Sequence, residues 1–353
     1  MKGKNLLFML LAAVVFSLLT ACGGDNAESE KNSSEAEENQ EGKDQAANSE
    51  AEFNLQIGHI APDEHSYTKG IEEFTKRVEE KTDGRVSFEI FGNGQLGGER
   101  DLIEQVQLGS LDMTVVTAGP LGNFVPEISV LEMPFLFRDV EHAYATLDGE
   151  IGKELMASID EQGFKTLGIW ENGMRHITNN VRPVTSPEDT KGLKMRTVEN
   201  EIYTDTYRAI GSDPTPIAFP EVYTALQQGV IDGLDASYGV FYTPNLFEVQ
   251  KYFSETGIYY AAAPAIMNTD TFASLPEDIQ QIMVETGQEM AGVQRQMNLD
   301  MEDEQKQEII EQGVEIVETE DIDMEAFRKA VEPVYEKYEE QYGDMIERIR
   351  NVE

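Results

Sequence analysis

From Phe53 onward the apolar positions switch between a period of two and a period of three to four. Phe53 to His59 alternates and predicts a strand; Tyr67, Ile71, Phe74 and Val78 then recur at helical spacing up to an Asp83-Gly84 turn. A strand over Val86–Phe91, a helix over Glu99–Leu108 and a strand over Met113–Thr117 follow. Such a succession argues for a mainly parallel sheet covered by helices. Further on, Ser186-Pro187-Glu188 starts a short helix, Gly192 stops it, and Leu193 to Thr197 alternates as a strand. Arg196 falls at or near that strand's carboxyl end, where open α/β sheets present their ligand crevice. Phe219-Pro220-Glu221 opens another helix, with Val222, Tyr223 and Leu226 on one face and Gly229 as its cap. From Asp278 the apolar positions Ile279, Ile282, Met283, Met290, Val293 and Met297 continue without a stop until about Gly313, which is long for one domain's helix. Gly313–Glu318 reads as a strand, and Met324–Ile349 as a closing helix kinked near Pro333.

The first residues read as a processing signal. Lys2 and Lys4 precede an apolar run from Leu6 to Leu19, short of the roughly 20 residues a membrane span needs. Leu19-Thr20-Ala21-Cys22 matches a bacterial lipobox, which makes 1–21 a lipoprotein signal peptide and Cys22, the only cysteine, the lipid anchor. Residues 22–52 are acidic and polar, with no aromatic side chain, and cannot bury enough apolar area to order themselves. They are expected to be a self-repelling tether on the extracytoplasmic face, of a single-membrane cell or in a periplasm.

A chain of 353 residues usually forms one large or two ordinary domains, so two lobes are the default expectation. The net charge of −40 makes nucleic acid an implausible partner, favours solubility and suits a salty medium.

Enzyme signatures are sparse. Gly92-Asn93-Gly94-Gln95-Leu96-Gly97 fits a dinucleotide fingerprint, with Asp112 about 20 residues on. The export signal removes the chain from the cytoplasmic nicotinamide pool, however, and the fingerprint belongs after a first strand, not a second. His59, His65, His142 and His176 show no metal-ligand spacing, and there is no G-x-S-x-G elbow. No catalytic residue, metal or cofactor is expected.

Several motifs recur in one order: G-x-G-Q-L-G-G-E-R (Gly92 to Arg100), Leu108 to Met113, M-P-F-L-F-R-D-x-E-H-A (Met133 to Ala143), W-x-N-G-x-R (Trp170 to Arg175), P-x-x-x-P-E-D-x-x-G-L-K-M-R (Pro183 to Arg196) and F-P-E-V-Y-T-A-L-Q-x-G-V-I-D-G (Phe219 to Gly233). Together they resemble the extracytoplasmic solute-binding proteins of TRAP transporters, in their C4-dicarboxylate-binding (DctP-type) family, from about Phe53 to the C-terminus. The resemblance implies a two-lobed, periplasmic-binding-protein-like α/β fold, each lobe a sheet flanked by helices, with one long helix along both. It places lobe I at 53–173 plus 262–301 and lobe II at 174–261 plus 302–353. It implies a non-enzymatic receptor for a small organic acid such as a sugar acid or C4-dicarboxylate, working with small and large TRAP membrane subunits. A ligand-sensing lipoprotein is the rival, and an exported hydrolase a third possibility.

By resemblance Arg196 is the principal carboxylate clamp and Arg175 the second cation, since a guanidinium's rigid fork matches a carboxylate and keeps its charge when buried. Phe219 is either an aromatic wall against the ligand or a hydrophobic staple before its helix. Glu64 and His65 fall in a ligand-facing loop, where His65 either contacts ligand or caps the first helix. Trp170 lines the cleft or packs the lobe junction. Where many relatives read D-G-Q-E-N-P, this chain has Asp232 to Ser237, with Ala236 in place of the ligand-bonding asparagine. Asp235, Ser237 or Tyr238 is then left to bond hydroxyls, and an acid at Asp235 disfavours a second ligand carboxylate.

Overall fold

The computed structural model describes residues 51–353. The signal peptide, Cys22 and nearly all of the tether lie outside the described residues.

Nine strands form one hydrogen-bonded path: β1 Phe53–Gly58, β2 Val86–Phe91, β3 Met113–Val115, β4 Phe164–Asn179, β5 Lys194–Thr197, β6 Asp213–Pro216, β7 Gly233–Ala236, β8 Tyr252–Asn268 and β9 Glu315–Val317. Their order is β2-β1-β3-β8-β4-β7-β5-β6, with β9 beside β8. The β1–β2, β1–β3, β5–β6 and β5–β7 pairs are parallel, as the alternation of elements predicts. At the far edge β6 reads Asp-Pro-Thr-Pro, and Pro214 and Pro216 have no N–H to offer a further strand.

The sheet is nevertheless mixed, not mainly parallel. Its centre is the long antiparallel pair β4–β8, which runs from Phe164↔Asn268 to Asn179↔Tyr252 and joins the two lobes' sheets. Period-two patterning does not reveal this pair. In β4 the buried Glu171, Asn172 and Arg175 interrupt the apolar run, and the middle of β8 is Ala261-Ala262-Ala263, a weak strand former.

Two helices matter for the site: α1, Ser66–Lys81, and α2, Glu99–Gln107. Helix α1 buries Tyr67, Ile71, Phe74 and Val78, the four positions its period marks. The expected long helix is present as Glu277–Glu311, 35 residues. It packs on α1 and β4. Where β4 bulges between Glu171 and Gly173, the Gln294 side chain replaces a strand partner: its Oε1 accepts from Glu171 N–H and its Nε2 donates to Glu171 C=O, both at 2.9 Å. The closing helix is not kinked but broken, into Met324–Ala330 and Glu332–Arg350. Pro333 lacks an N–H and clashes with the preceding turn, so it opens the second helix.

Three apolar clusters carry the fold. No described helix is long and apolar enough to cross a membrane.

Candidate functional site

The segments that leave the carboxyl ends of β1, β2, β3, β5, β6 and β7 converge with the middle of β4 on one cavity. This is where an open α/β sheet offers a crevice. Arg196, on β5, and Arg175, on β4, both line it. Each is only 3% exposed.

The two guanidiniums are held differently. Arg196 donates from Nε to the Ile217 carbonyl at 2.8 Å, and among the described residues its two terminal nitrogens have no partner. Burial lowers its pKa, against the pull of Asp235. Arg175 spends its Nε on the Asp235 carboxylate and one terminal nitrogen on the Asp235 carbonyl. Burial opposes the charge on Arg175, but Asp235 outweighs it and its pKa rises. Asp235 also accepts from the Tyr207 hydroxyl at 3.2 Å. Arg196 is thus the cation with its fork uncommitted, and Arg175 belongs to a buried pair.

The rest of the wall is half apolar and half polar. Phe219 lines the cavity with its ring 5.9 Å from the Arg196 guanidinium, a cation–π contact. Val198 and Val240 add apolar surface. Tyr67, Asn172 and Glu99 also line it. Tyr67 Oη and Asn172 Oδ1 are buried with no hydrogen-bond partner among the described residues. A buried polar atom left unpaired is costly, so such atoms mark places built to meet another molecule. Glu99, in the first turn of α2, accepts from the Thr117 N–H and hydroxyl. Burial raises its pKa, opposed by those bonds and by Arg196.

His65 lines the cavity and also caps α1, its Nδ1 accepting from Tyr67 N–H at 3.1 Å. The bond fixes the proton on Nε2. Burial first, then His59 and Arg175, lowers its pKa to about 3, so the ring is a neutral donor. His59, behind it, is lowered to about 4, chiefly by burial.

The other expected site residues stand elsewhere. Asp235 is fully buried, paired with Arg175, and does not line the cavity; the acid that lines it is Glu99. Tyr238 stacks on Phe253 and donates to Glu255, beyond the cavity wall. Trp170 packs in the core edge-on to Phe74, donates from Nε1 to Gly287 C=O at 3.1 Å and does not line the cavity. Glu64 is exposed, 3.8 Å from Lys69. Tyr67, Glu99 and Thr117 went unrecognised because helix periodicity accounts for the first and a first-turn acid for the second, while Thr117 has no distinguishing signal. Only the approach of distant segments makes them neighbours. Among the described residues no group of side chains could hold a metal ion.

Residues 57–341 match the family model of DctP, bacterial extracellular solute-binding protein, family 7. A solute-binding protein of Verminephrobacter eiseniae is 41% identical over 285 residues, 80% of this chain and 84% of that protein. The 2,3-diketo-L-gulonate-binding periplasmic protein of Escherichia coli K12 is 35% identical over 279 residues, 78% of this chain and 84% of its own. The crystal structure of a TRAP periplasmic solute-binding protein from Polaromonas sp. JS666, bound to D-erythronate, superposes with a TM-score of 0.83 at 39% identity, over 85% of this chain and 99% of that one. The proteins it matches are solute-binding receptors, and with the two-lobed α/β frame and its long helix in place, this chain belongs to the DctP family of bacterial extracellular solute-binding proteins.

Proposed function

We propose that this chain is the extracytoplasmic receptor of a TRAP-type secondary transporter and that it captures a small sugar acid for delivery to the membrane subunits. The observation that carries this reading is the make-up of the cavity wall: the uncommitted Arg196 fork and Arg175 share it with Asn172 Oδ1, Tyr67 Oη and the Glu99 carboxyl. A single carboxylate suits the guanidinium fork. Hydroxyl groups suit the neutral polar atoms, and a second carboxylate near Glu99 would meet an acid. D-erythronate and 2,3-diketo-L-gulonate, the ligands of two relatives, have this composition.

Within this reading the β4 bulge at Glu171/Gly173, where β8 pairs through Ala261 and Ala262, supports a lobe change at 173/174 and 261/262. Ligand prefers the closed arrangement and shifts the lobe equilibrium by that difference in affinity. Cys22 would carry lipid and hold the receptor at the membrane through the tether.

The test is a thermal-shift and calorimetry panel on the mature chain, comparing D-erythronate, D-glucuronate and D-galacturonate with succinate. A sugar acid at 100 times its Kd should add about 2.7 kcal/mol of stability. Preference for succinate, or no response to any of these acids, would refute the assignment.

A further inference from the structure

The strands β2 and β6 are opposite edges of the sheet path, yet the segments that follow them meet above the cavity. A Cβ placed on Gly94 would lie 2.8 Å from Pro220 Cγ, and one on Gly98 would lie 3.2 Å from Ala218 Cβ. Phe219, between Ala218 and Pro220, lines the cavity, as does Glu99, next to Gly98. The contact therefore closes over the cavity.

The two glycines are not equivalent. Gly94 has φ +66°, so its own backbone demands glycine. Gly98 has φ −79° and ψ 177°, an extended conformation open to any residue. Local geometry leaves Gly98 free to vary, and only the neighbour across the cleft restricts it. Among the described residues no hydrogen bond or ion pair joins the two segments, so the contact is one of shape alone. Two unbonded surfaces that touch define how far a hinge closes without holding it shut.

We infer that Gly98 and Ala218 form the closure stop of this receptor, their small size setting how near the Glu99 wall comes to the Arg196 wall. The inference rests on the receptor reading above. A larger group at position 98 keeps the cleft wider and leaves the fold of each lobe alone. Ligand then cannot bridge both walls, and its affinity falls with the population of the closed state.

The experiment is a double-mutant cycle on the mature chain, read by calorimetry with D-erythronate and D-glucuronate and by small-angle scattering at saturating acid. Gly98→Val should weaken binding by about tenfold or more, because overpacking a tight contact is costly, and should leave a larger radius of gyration. Ala218→Gly alone removes the Cβ that position 98 abuts and should leave a radius of gyration no larger than that of the unaltered chain; a larger one would overturn the closure stop. Gly98→Val with Ala218→Gly should recover affinity to within about threefold. Valine also replaces the residue capping α2, but lost helix stability is not restored by a change at 218, so recovery isolates the contact. If Gly98→Val fails to fold, Gly98→Ala gives a smaller change in the same direction. Unaltered affinity in the Gly98 variants, or no recovery in the double variant, overturns the closure stop. Absence of binding by the unaltered chain overturns the sugar-acid reading instead, and this inference with it.

Discussion

Replacing Arg196 with methionine separates binding from folding. The guanidinium is 3% exposed and, among the described residues, bonded only through Nε, to the Ile217 carbonyl at 2.8 Å. Its two terminal nitrogens can each donate to a carboxylate oxygen. Charge-assisted bonds contribute about 1.5–3 kcal/mol each, so the pair accounts for roughly 3–6 kcal/mol. That is about two to four decades in Kd. The effect on stability has the opposite sign. Burial works against the Arg196 charge, and removing an uncompensated buried cation relieves a desolvation penalty. The unpaired Ile217 carbonyl takes back about 1–3 kcal/mol of that relief. Arg196→Met should therefore lose measurable binding of D-glucuronate in calorimetry, while its ligand-free Tm holds or rises. A Kd within about threefold of the unaltered chain would refute the clamp. A ligand-free Tm lowered by about 10 °C or more would mean that Arg196 is structural.

Three further outcomes follow from the same geometry. Asp235→Asn strands the Arg175 guanidinium and should cost about 3–5 kcal/mol, seen as a lower denaturant midpoint; Arg175→Met with Asp235→Leu should regain most of that stability without regaining binding. Glu132 is buried and is raised to about 8, chiefly by burial, against the Tyr203 hydroxyl and the Arg175 charge. A carboxyl raised in the folded state stabilises at low pH and loses that contribution as pH rises from about 4.5 to 8, so Glu132→Gln should be favoured by about 3 kcal/mol more at pH 7 than at pH 4.5, and parallel pH–stability curves would contradict this. His59, His65 and His176 are lowered to about 4, 3 and 4, chiefly by burial, so the unfolded chain takes up protons first as pH falls below 6.5. Each should withdraw about 2 kcal/mol by pH 5, measurable as a loss in the His65→Gln variant of part of the acid sensitivity of unfolding.

What the chain determines by itself is its local structure and its chemical vocabulary. The periods around Phe53–Val78 and Ile279–Met297, the Pro187 and Pro220 helix starts and the short strand bearing Arg196 are all fixed within a few residues, and the structure has each of them. Motif order was enough to indicate the family, and that resemblance, with the fork chemistry of a guanidinium, singled out Arg196 and Arg175. Tertiary structure decided which groups share a cavity. The antiparallel core β4–β8 depends on pairing across about a hundred residues, as in Phe164↔Asn268, and no local period records it. Glu99 and Tyr67 share a cavity with the arginines only because segments that follow β1, β2, β3, β5 and β6 converge, and Asp235 pairs with Arg175 because β7 lies beside β4. Local propensity acts over a few residues, whereas the sign and reach of a charge depend on what the fold packs against it.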